Sequence, residues 1–250
     1  MAKFNPNGAL AYLTFLGGAD NEWANDLVVD SEDNVVITGF TVSDDFPTVN
    51  SYQEERSDYS EMFITKFTPD GQDLVFSTYL GGSSPDHGNA VAIDSQDRII
   101  ITGKTQSADF PLTYPCGIAE SYFDNASLVV LNQDGSLLFS MAFGGDVDDV
   151  GIGVAWHSYD SYIVIGYTES ADFPIYEAYQ DTIGGDFDMF VMKVDLRDLI
   201  DISSTTTTAT TTTTSTTDSL PFDSTILLVL GGGAVAVVVV LIVFVRLRRE

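Results

Sequence analysis

The stretch from Leu80-Gly81-Gly82 to Asp109-Phe110-Pro111 decides the fold, because its landmarks occur three times along the chain. The glycine pairs and the Asp-Phe-Pro triplets both recur at intervals of 64 and then 63 residues. The same register holds for Leu16-Gly17-Gly18 and Phe143-Gly144-Gly145, for Asp45-Phe46-Pro47 and Asp172-Phe173-Pro174, for Gly39, Gly103 and Gly166, and for Thr41, Thr105 and Thr168. A fixed period of this length predicts an array of supersecondary units.

A full repeat contains four short segments of strand-like composition, separated by turn residues. In the middle copy they cover residues 90–93, 99–102, 128–131 and 137–142. The last two are joined by Asn132-Gln133-Asp134-Gly135, and Asp-Gly between apolar runs is typical of a hairpin turn. Four antiparallel strands per unit, repeated along the chain, predict an all-β fold of β-propeller blades.

The repeats define the predicted domains. Residues 1–200 form the propeller region, divided into a partial unit 1–22 and the units 23–86, 87–149 and 150–200. Residues 1–8 align with residues 64–71, so the chain begins partway along a repeat strand. Either further repeats and a leader lie upstream, or this is a genuine start whose partial unit another chain completes.

The third copy departs from the pattern. His157 stands where the other copies have Asp30 and Asp94, and no fourth strand is evident after Val194. Three blades are too few for a closed propeller, since known rings begin at about four blades. We therefore expect an incomplete ring, which needs further repeats or a partner chain to close.

The C-terminal region has a different composition. Residues 201–225 form a Ser/Thr-rich stalk, which is either O-glycosylated or an unmodified linker. Residues 226–245 carry no charge and are long enough for one transmembrane helix. Arg246, Arg248 and Arg249 follow at once, so the positive-inside rule predicts a cytoplasmic tail at 246–250 and extracellular repeats.

The charge balance restricts the partners. Asp and Glu number 37 against 10 Lys and Arg, giving a formal net charge of -27. Such a chain repels nucleic acid and favours cations or weakly charged ligands, although acidity also serves solubility alone. The single cysteine, Cys116, excludes an internal disulfide, and no Cys/His cluster has zinc spacing.

Several short motifs resemble a known family. The copies Ser77-Thr78-Tyr79-Leu80-Gly81-Gly82, Asn89-Ala90-Val91-Ala92-Ile93-Asp94, Ile101-Thr102-Gly103-Lys104-Thr105 and Ser107-Ala108-Asp109-Phe110-Pro111 look like the SBBP repeat, named for a seven-bladed β-propeller. The resemblance covers residues 1 to about 197 and implies an extracellular propeller without general catalytic residues. The stalk, apolar helix and arginine cluster are similar to the anchoring tails of archaeal cell-surface proteins.

Strand parity indicates where a ligand would bind. The connection from the second to the third strand and the connection between repeats lie on the same face, and both carry acids. We therefore expect a ligand face formed by the acids near the Gly-Gly turns and in the triplets, namely Asp20, Glu22, Asp86, Asp146, Asp148, Asp149, Asp45, Asp109 and Asp172. Oxygen ligands in loops suit Ca²⁺, and Asp146, Asp148 and Asp149 are the densest group. No other cofactor is indicated. The alternative is that these acids only cap and solvate turns.

Other residues have structural and functional interpretations. In the Asp-Phe-Pro triplet we expect Asp to accept backbone N–H groups, Phe to pack between blades and Pro to end the second strand. Trp23, Tyr52, Tyr114, Tyr122 and Tyr179 are expected mainly as core aromatics, with stacking on glycans or peptides as the alternative. Asn125-Ala126-Ser127 is a sequon for N-glycosylation of Asn125.

These observations predict a single-pass, membrane-anchored surface propeller that binds or scaffolds envelope proteins or glycans. The first alternative is a purely structural envelope spacer. A surface polysaccharide hydrolase or lyase is the second, although no catalytic motif is present in the sequence.

Overall fold

A computed structural model describes residues 1–114, 122–197 and 199 of the chain. The named elements are thirteen β-strands, so the described part is all-β, as predicted. The strands are β1 (Ala2–Phe4), β2 (Leu10–Leu13), β3 (Glu22–Val29), β4 (Val35–Thr41), β5 (Glu61–Phe67), β6 (Leu74–Leu80), β7 (Asp86–Ile93), β8 (Ile99–Thr105), β9 (Asn125–Leu131), β10 (Leu137–Phe143), β11 (Asp149–Ser158), β12 (Ser161–Thr168) and β13 (Asp188–Asp195).

The strands form four antiparallel sheets that follow the sequence repeats. The first blade is β3-β4-β5-β6, the second is β7-β8-β9-β10, and the third has the three strands β11-β12-β13. The pair β1-β2 precedes them as a two-stranded sheet. Four antiparallel strands in chain order are the form of a propeller blade, so the fold prediction agrees with the described sheets.

The stalk 201–225, the helix 226–245 and the tail 246–250 lie outside the described residues. Among the residues that are described, no helix has the length and apolar character required to cross a bilayer.

Residues with positive φ allow the chain to reverse direction in the turns between strands. The first turn of each blade has an aspartate with positive φ, at Asp33, Asp97 and Asp160. The last turn has glycine with positive φ, at Gly71 and Gly135, as the Asp-Gly pattern predicts.

The prediction that the proline of the Asp-Phe-Pro triplet ends the second strand is wrong, because the strand ends several residues earlier. β8 ends at Thr105, where the Thr105 hydroxyl accepts the N–H of Ser107 at 3.0 Å.

The core lies between neighbouring blades. The face of a blade that packs on the following blade is here called its front face, and the opposite face its back face. Val36, Met62 and Ile64 of the first blade pack on Val91 and Ile101 of the second in one buried cluster. A second cluster joins the front face of the second blade to the back face of the third.

A bulge in the first strand of each blade reinforces these contacts. The pairing register shifts at the bulge residues Asn25, Asn89 and Ile152. Asn25 donates its side-chain N–H to the carbonyl of Gly88 at 2.8 Å, and Asn89 donates in the same way to Gly151. A bulge redirects one side chain out of the pleat, and here it directs the amide towards the next blade.

Candidate functional site

The predicted ligand acids lie beside the turns that enter each blade. In the second blade, Asp86 is fully buried at the start of β7. Its Oδ2 accepts the backbone N–H of Gly82 and the hydroxyl of Ser107, both at 2.7 Å. The carboxylate thus ties the Gly-Gly turn to the segment that follows β8. We call this arrangement the turn latch.

The turn latch is present in all three blades. Glu22 accepts the N–H of Gly18 at 3.2 Å and the hydroxyl of Ser43 at 2.5 Å. In the third blade, Asp149 takes the corresponding position. It accepts the N–H of Gly145 at 2.6 Å and the hydroxyl of Ser170 at 2.9 Å. The serines keep the repeat register, although they were not among the predicted site residues.

The aspartates of the Asp-Phe-Pro triplets bind the same turns, because each accepts a backbone N–H from the residue after the second glycine. Asp109 accepts the N–H of Ser83 at 2.8 Å, and Asp45 and Asp172 make the equivalent bonds to Ala19 and Asp146. The close contact between the triplet aspartate and the turn requires glycine, because a Cβ on Gly82 would lie 2.3 Å from Asp109 Oδ1.

The rest of the triplet is structural as well. The phenylalanines Phe46 and Phe110 are buried in separate core clusters. The structural interpretation of Asp and Phe in the triplet is therefore confirmed by these contacts.

Six of the nine candidate acids are engaged in the turn latches. The remaining three are Asp20, Asp146 and Asp148. Asp20 and Asp146 are exposed, and Asp148 accepts the backbone N–H of Asp124 at 2.8 Å. The fold thus brings the nine acids to blade entries in three separate groups, where most of them bond to the backbone.

Burial controls the protonation of the latch acids. It raises the pKa of Asp86 to about 7, and the nearby charge of Glu61 adds to the rise. Burial also raises the pKa of Asp149 and of Glu61. Exposed Asp109 behaves in the opposite way, because the N–H and hydroxyl of Ser83 lower its pKa. At neutral pH the latch of the second blade therefore carries less charge than its sequence implies.

The geometry gives no support to a calcium site at Asp146, Asp148 and Asp149. Asp149 points into its own latch, Asp148 bonds to Asp124, and the N–H of Asp146 bonds to Asp172. Within the described ranges, no three His, Cys, Asp or Glu side chains meet in a group that could hold a metal ion.

The sequon asparagine is inside the fold. Asn125 is the first residue of β9 and is only 7% exposed. An N-linked glycan needs a surface asparagine, so this burial runs contrary to glycosylation of the folded domain.

The long loops between the second and third strands do not stay on the predicted ligand face. In the first blade the loop runs along the outer edge of the sheet, where Val49 pairs with Ser77 and Gln53 with Tyr79. In the second blade the N–H of Thr113 bonds to the carbonyl of Ser140 at 3.2 Å. These loops cover edge strands, and this was not evident from parity alone.

The aromatic candidates are more exposed than expected. Trp23, Tyr52, Tyr122 and Tyr179 are all exposed, so the prediction that they are core residues is wrong for these four. Tyr114 is half-buried against Phe139, and for it the prediction is confirmed.

Tyr52 lies in a groove between the first and second blades. The groove has a volume of about 590 Å³ and is lined by Asn50, Ser51, Tyr52, Val75, Asp134, Gly135 and Ser136. The Asn50 amide donates to the carbonyl of Val75 at 2.9 Å, which fixes the loop beside β6. Asp134 Oδ1 accepts the hydroxyl of Ser136 at 2.6 Å on the opposite wall.

A stack of three rings crosses from the first blade to the second. The rings of Trp23 and Phe40 lie 4.8 Å apart, and those of Phe40 and His87 lie 3.9 Å apart, all nearly parallel. Burial, together with the charge of Lys104, lowers the pKa of His87 to about 4. His87 Nε2 shares a hydrogen bond with Ser60 Oγ at 2.8 Å. His87 is therefore a neutral packing residue at physiological pH.

Comparison with known proteins supports the repeat assignment. Residues 75–111 match the family model SBBP, a beta-propeller repeat. The SBBP match runs from β6 through β8, and it contains Gly82, Asp86, Ser107 and Asp109 of the second turn latch. No curated protein matches the sequence.

Proposed function

We propose that this chain is a membrane-anchored, cell-surface propeller module that binds envelope glycans or proteins. The binding site in this proposal is the groove at Tyr52. Residues 226–245 would serve as the anchor, with residues 201–225 as a stalk and the repeats outside the cell.

The observation that carries the proposal is the chemistry of the groove. Tyr52 is 47% exposed, and Asn50, Asp134 and Ser136 line the same groove with polar side chains. An aromatic platform bordered by amide, hydroxyl and carboxylate groups suits a saccharide, whose C–H face stacks while its hydroxyls form hydrogen bonds. The net charge of -27 favours neutral or amino sugars over acidic ones.

The test is binding by the full chain in detergent micelles to an array of neutral and amino-sugar oligosaccharides. Affinities for the bound sugars would then be measured by calorimetry. We expect Tyr52→Ala to weaken binding about fivefold to tenfold, since such a stacking contact contributes about 1 kcal/mol. Tyr59→Ala is the matched control, because Tyr59 is also exposed but does not line the groove.

The alternatives predict different results. An envelope spacer would bind none of the arrayed sugars, and Tyr52→Ala would change nothing. A surface hydrolase or lyase would release reducing ends from polysaccharide during the same incubation. Equal losses in Tyr52→Ala and Tyr59→Ala would contradict a site in the groove.

The tether is tested separately. We expect protease treatment of intact cells to release fragments of residues 1–200, and deletion of residues 226–245 to release the chain from the membrane fraction. Retention of the deleted chain on membranes would contradict the anchoring proposal.

A further inference from the structure

The outer edge of β13 is not covered by any strand that the structure describes. In the first blade β6 pairs with the third strand β5, and in the second blade β10 pairs with β9. In the third blade β13 pairs with β12 on one side, and within the described ranges no strand lies on its other side. The N–H and C=O groups of such an edge are a template for one more strand.

The loop between β12 and β13 is built like the loop that covers β6 in the first blade. In the first blade Gln53 Nε2 donates to Glu61 at 3.1 Å and to the carbonyl of Glu55 at 2.9 Å. Ser57 donates its backbone N–H to Glu61 as well. The third blade repeats these three bonds at the same intervals, through Gln180, Thr182, Gly184 and Asp188.

The loop of the first blade bonds directly to β6. The backbone N–H of Gln53 donates to Thr78 Oγ1 at 2.9 Å, and its carbonyl accepts the N–H of Tyr79. The side-chain oxygen of Gln53 accepts the N–H of Gly81 at 3.1 Å. Gln180 has the place of Gln53 in the third blade, so it is positioned to bind a strand with a hydroxyl where β6 has Thr78.

Residues 200–206 of this chain continue the repeat register of β6 and β10. One serine of that register recurs at intervals of 63 residues, as Ser77, Ser140 and Ser203. Ile200 and Ile202 fall at apolar positions of β6 and β10, and Ser204 supplies a hydroxyl at the position of Thr78. The segment therefore matches the place beside β13 in its apolar residues, in its hydroxyl and in its distance along the chain.

We propose that residues 200–206 form the fourth strand of the third blade, antiparallel to β13 and between β13 and the loop of Gln180. The Ser/Thr-rich stalk then begins after Thr206, and the stalk is joined to the blade through a hydrogen-bonded strand. This proposal concerns a different part of the chain from the groove at Tyr52 and does not depend on it.

The connection after β13 suits this arrangement. The described residues Leu196, Arg197 and Leu199 are helical, where the earlier blades have their last turn. One turn of α-helix advances about 5 Å, which is close to the spacing of about 4.8 Å between neighbouring strands. Leu196 is buried, and its N–H bonds to the carbonyl of Asp160 at 2.8 Å, which fixes the start of the turn. The chain can therefore return alongside β13.

The pairing within the second blade gives the register of the expected strand. Met141 of β10 lies opposite Leu128 of β9. Ser204 and Val191 hold these two positions in the third copy, so we expect them to lie opposite each other. Val191 is 67% exposed on the front face, so a cysteine at this position disturbs no core contact.

The test is a disulfide between these two positions in the full chain in detergent micelles. Cys116→Ser first removes the single native thiol. In that background we expect Val191→Cys with Ser204→Cys to form an intramolecular disulfide on air oxidation. Directly opposed residues of antiparallel strands have the Cβ separation that a disulfide needs. Proteolysis followed by mass spectrometry identifies the linked peptides.

Val191→Cys with Thr208→Cys is the matched control, because Thr208 is equally part of the Ser/Thr-rich region but lies out of register. Its yield of disulfide should be at least about tenfold lower, since the two Cβ atoms are not opposed. Equal yields for the two pairs would overturn the proposal, because the segment would have no fixed register. Failure of the first pair to link would overturn it too. So would linkage only between two chains, because a second copy would then supply the strand.

Discussion

Asp86→Asn tests the physical account of the turn latch. The variant keeps the shape and one acceptor oxygen for Gly82 and Ser107, but it cannot ionise. In the native fold, burial raises the pKa of Asp86 from 3.8 to about 7. Below pH 3.8 the carboxyl is protonated in both the folded and unfolded states, so it adds no penalty. As pH rises towards 7 only the unfolded chain ionises freely, and the fold loses stability.

The size of the effect follows from the two pKa values. At about 1.4 kcal/mol per pH unit, the rise from 3.8 to about 7 corresponds to about 4 kcal/mol. We therefore expect the free energy of unfolding of Asp86→Asn, relative to wild type, to improve by up to about 4 kcal/mol between pH 4 and pH 8. Urea denaturation of the full chain at a series of pH values measures this difference.

Asp109→Asn is the matched control, because the pKa of Asp109 is lowered by its bonds from Ser83. The Asp109 carboxylate stabilises the fold above its unfolded pKa, and this contribution is lost as pH falls through the folded pKa. Relative to wild type, this variant should therefore become less stable as pH rises. Parallel pH profiles for Asp86→Asn and wild type would refute the account of the buried latch.

Two further predictions concern packing and charge. Lys66→Met should lower the free energy of unfolding by about 3–5 kcal/mol and raise the pKa of Asp30, because it removes the partner of a buried ion pair with an N–O distance of 2.7 Å. Chemical denaturation measures the loss of stability, and NMR titration of Asp30 measures the pKa. An unchanged Asp30 pKa would contradict this prediction. Gly103→Ala should destabilise the fold strongly, because its Cβ would lie 1.9 Å from the carbonyl oxygen of His87. Gly185→Ala is the control: its Cβ would meet no atom within 4 Å, so the melting temperature should stay nearly unchanged. Equal melting temperatures for the two variants would refute the close contact between Gly103 and the backbone of His87.

The turn latches change how the acidic loops are understood. In the sequence, an acid at the start of the first strand, four residues after the second loop glycine, is expected to be a free carboxylate. In the structure Glu22, Asp86 and Asp149 each satisfy a backbone N–H of a turn and a serine hydroxyl. Buried polar groups need such partners, so the acids stabilise the blade entry. The binding proposed above therefore rests on other groups, chiefly the exposed ring of Tyr52.

Much of the fold could be predicted because the same sequence pattern occurs three times. The interval of 64 and 63 residues, the Asp-Gly turn at Gly135 and the apolar segments predicted four-stranded units, and the sheets β3-β4-β5-β6 and β7-β8-β9-β10 agree. Alignment of the copies would also have identified Ser43, Ser107 and Ser170, which share one register position.

The sequence by itself determined the period, the strand pairs and the turn residues, since these depend on local alternation and backbone conformation. Only the tertiary structure decided where each side chain points. It buried Asp86, laid the loop of Gln53 along β6, and left Met189 and Val191 on an open face. Burial depends on which sheet packs against which. A register position that is core in two blades is surface in the third, because no described blade follows it.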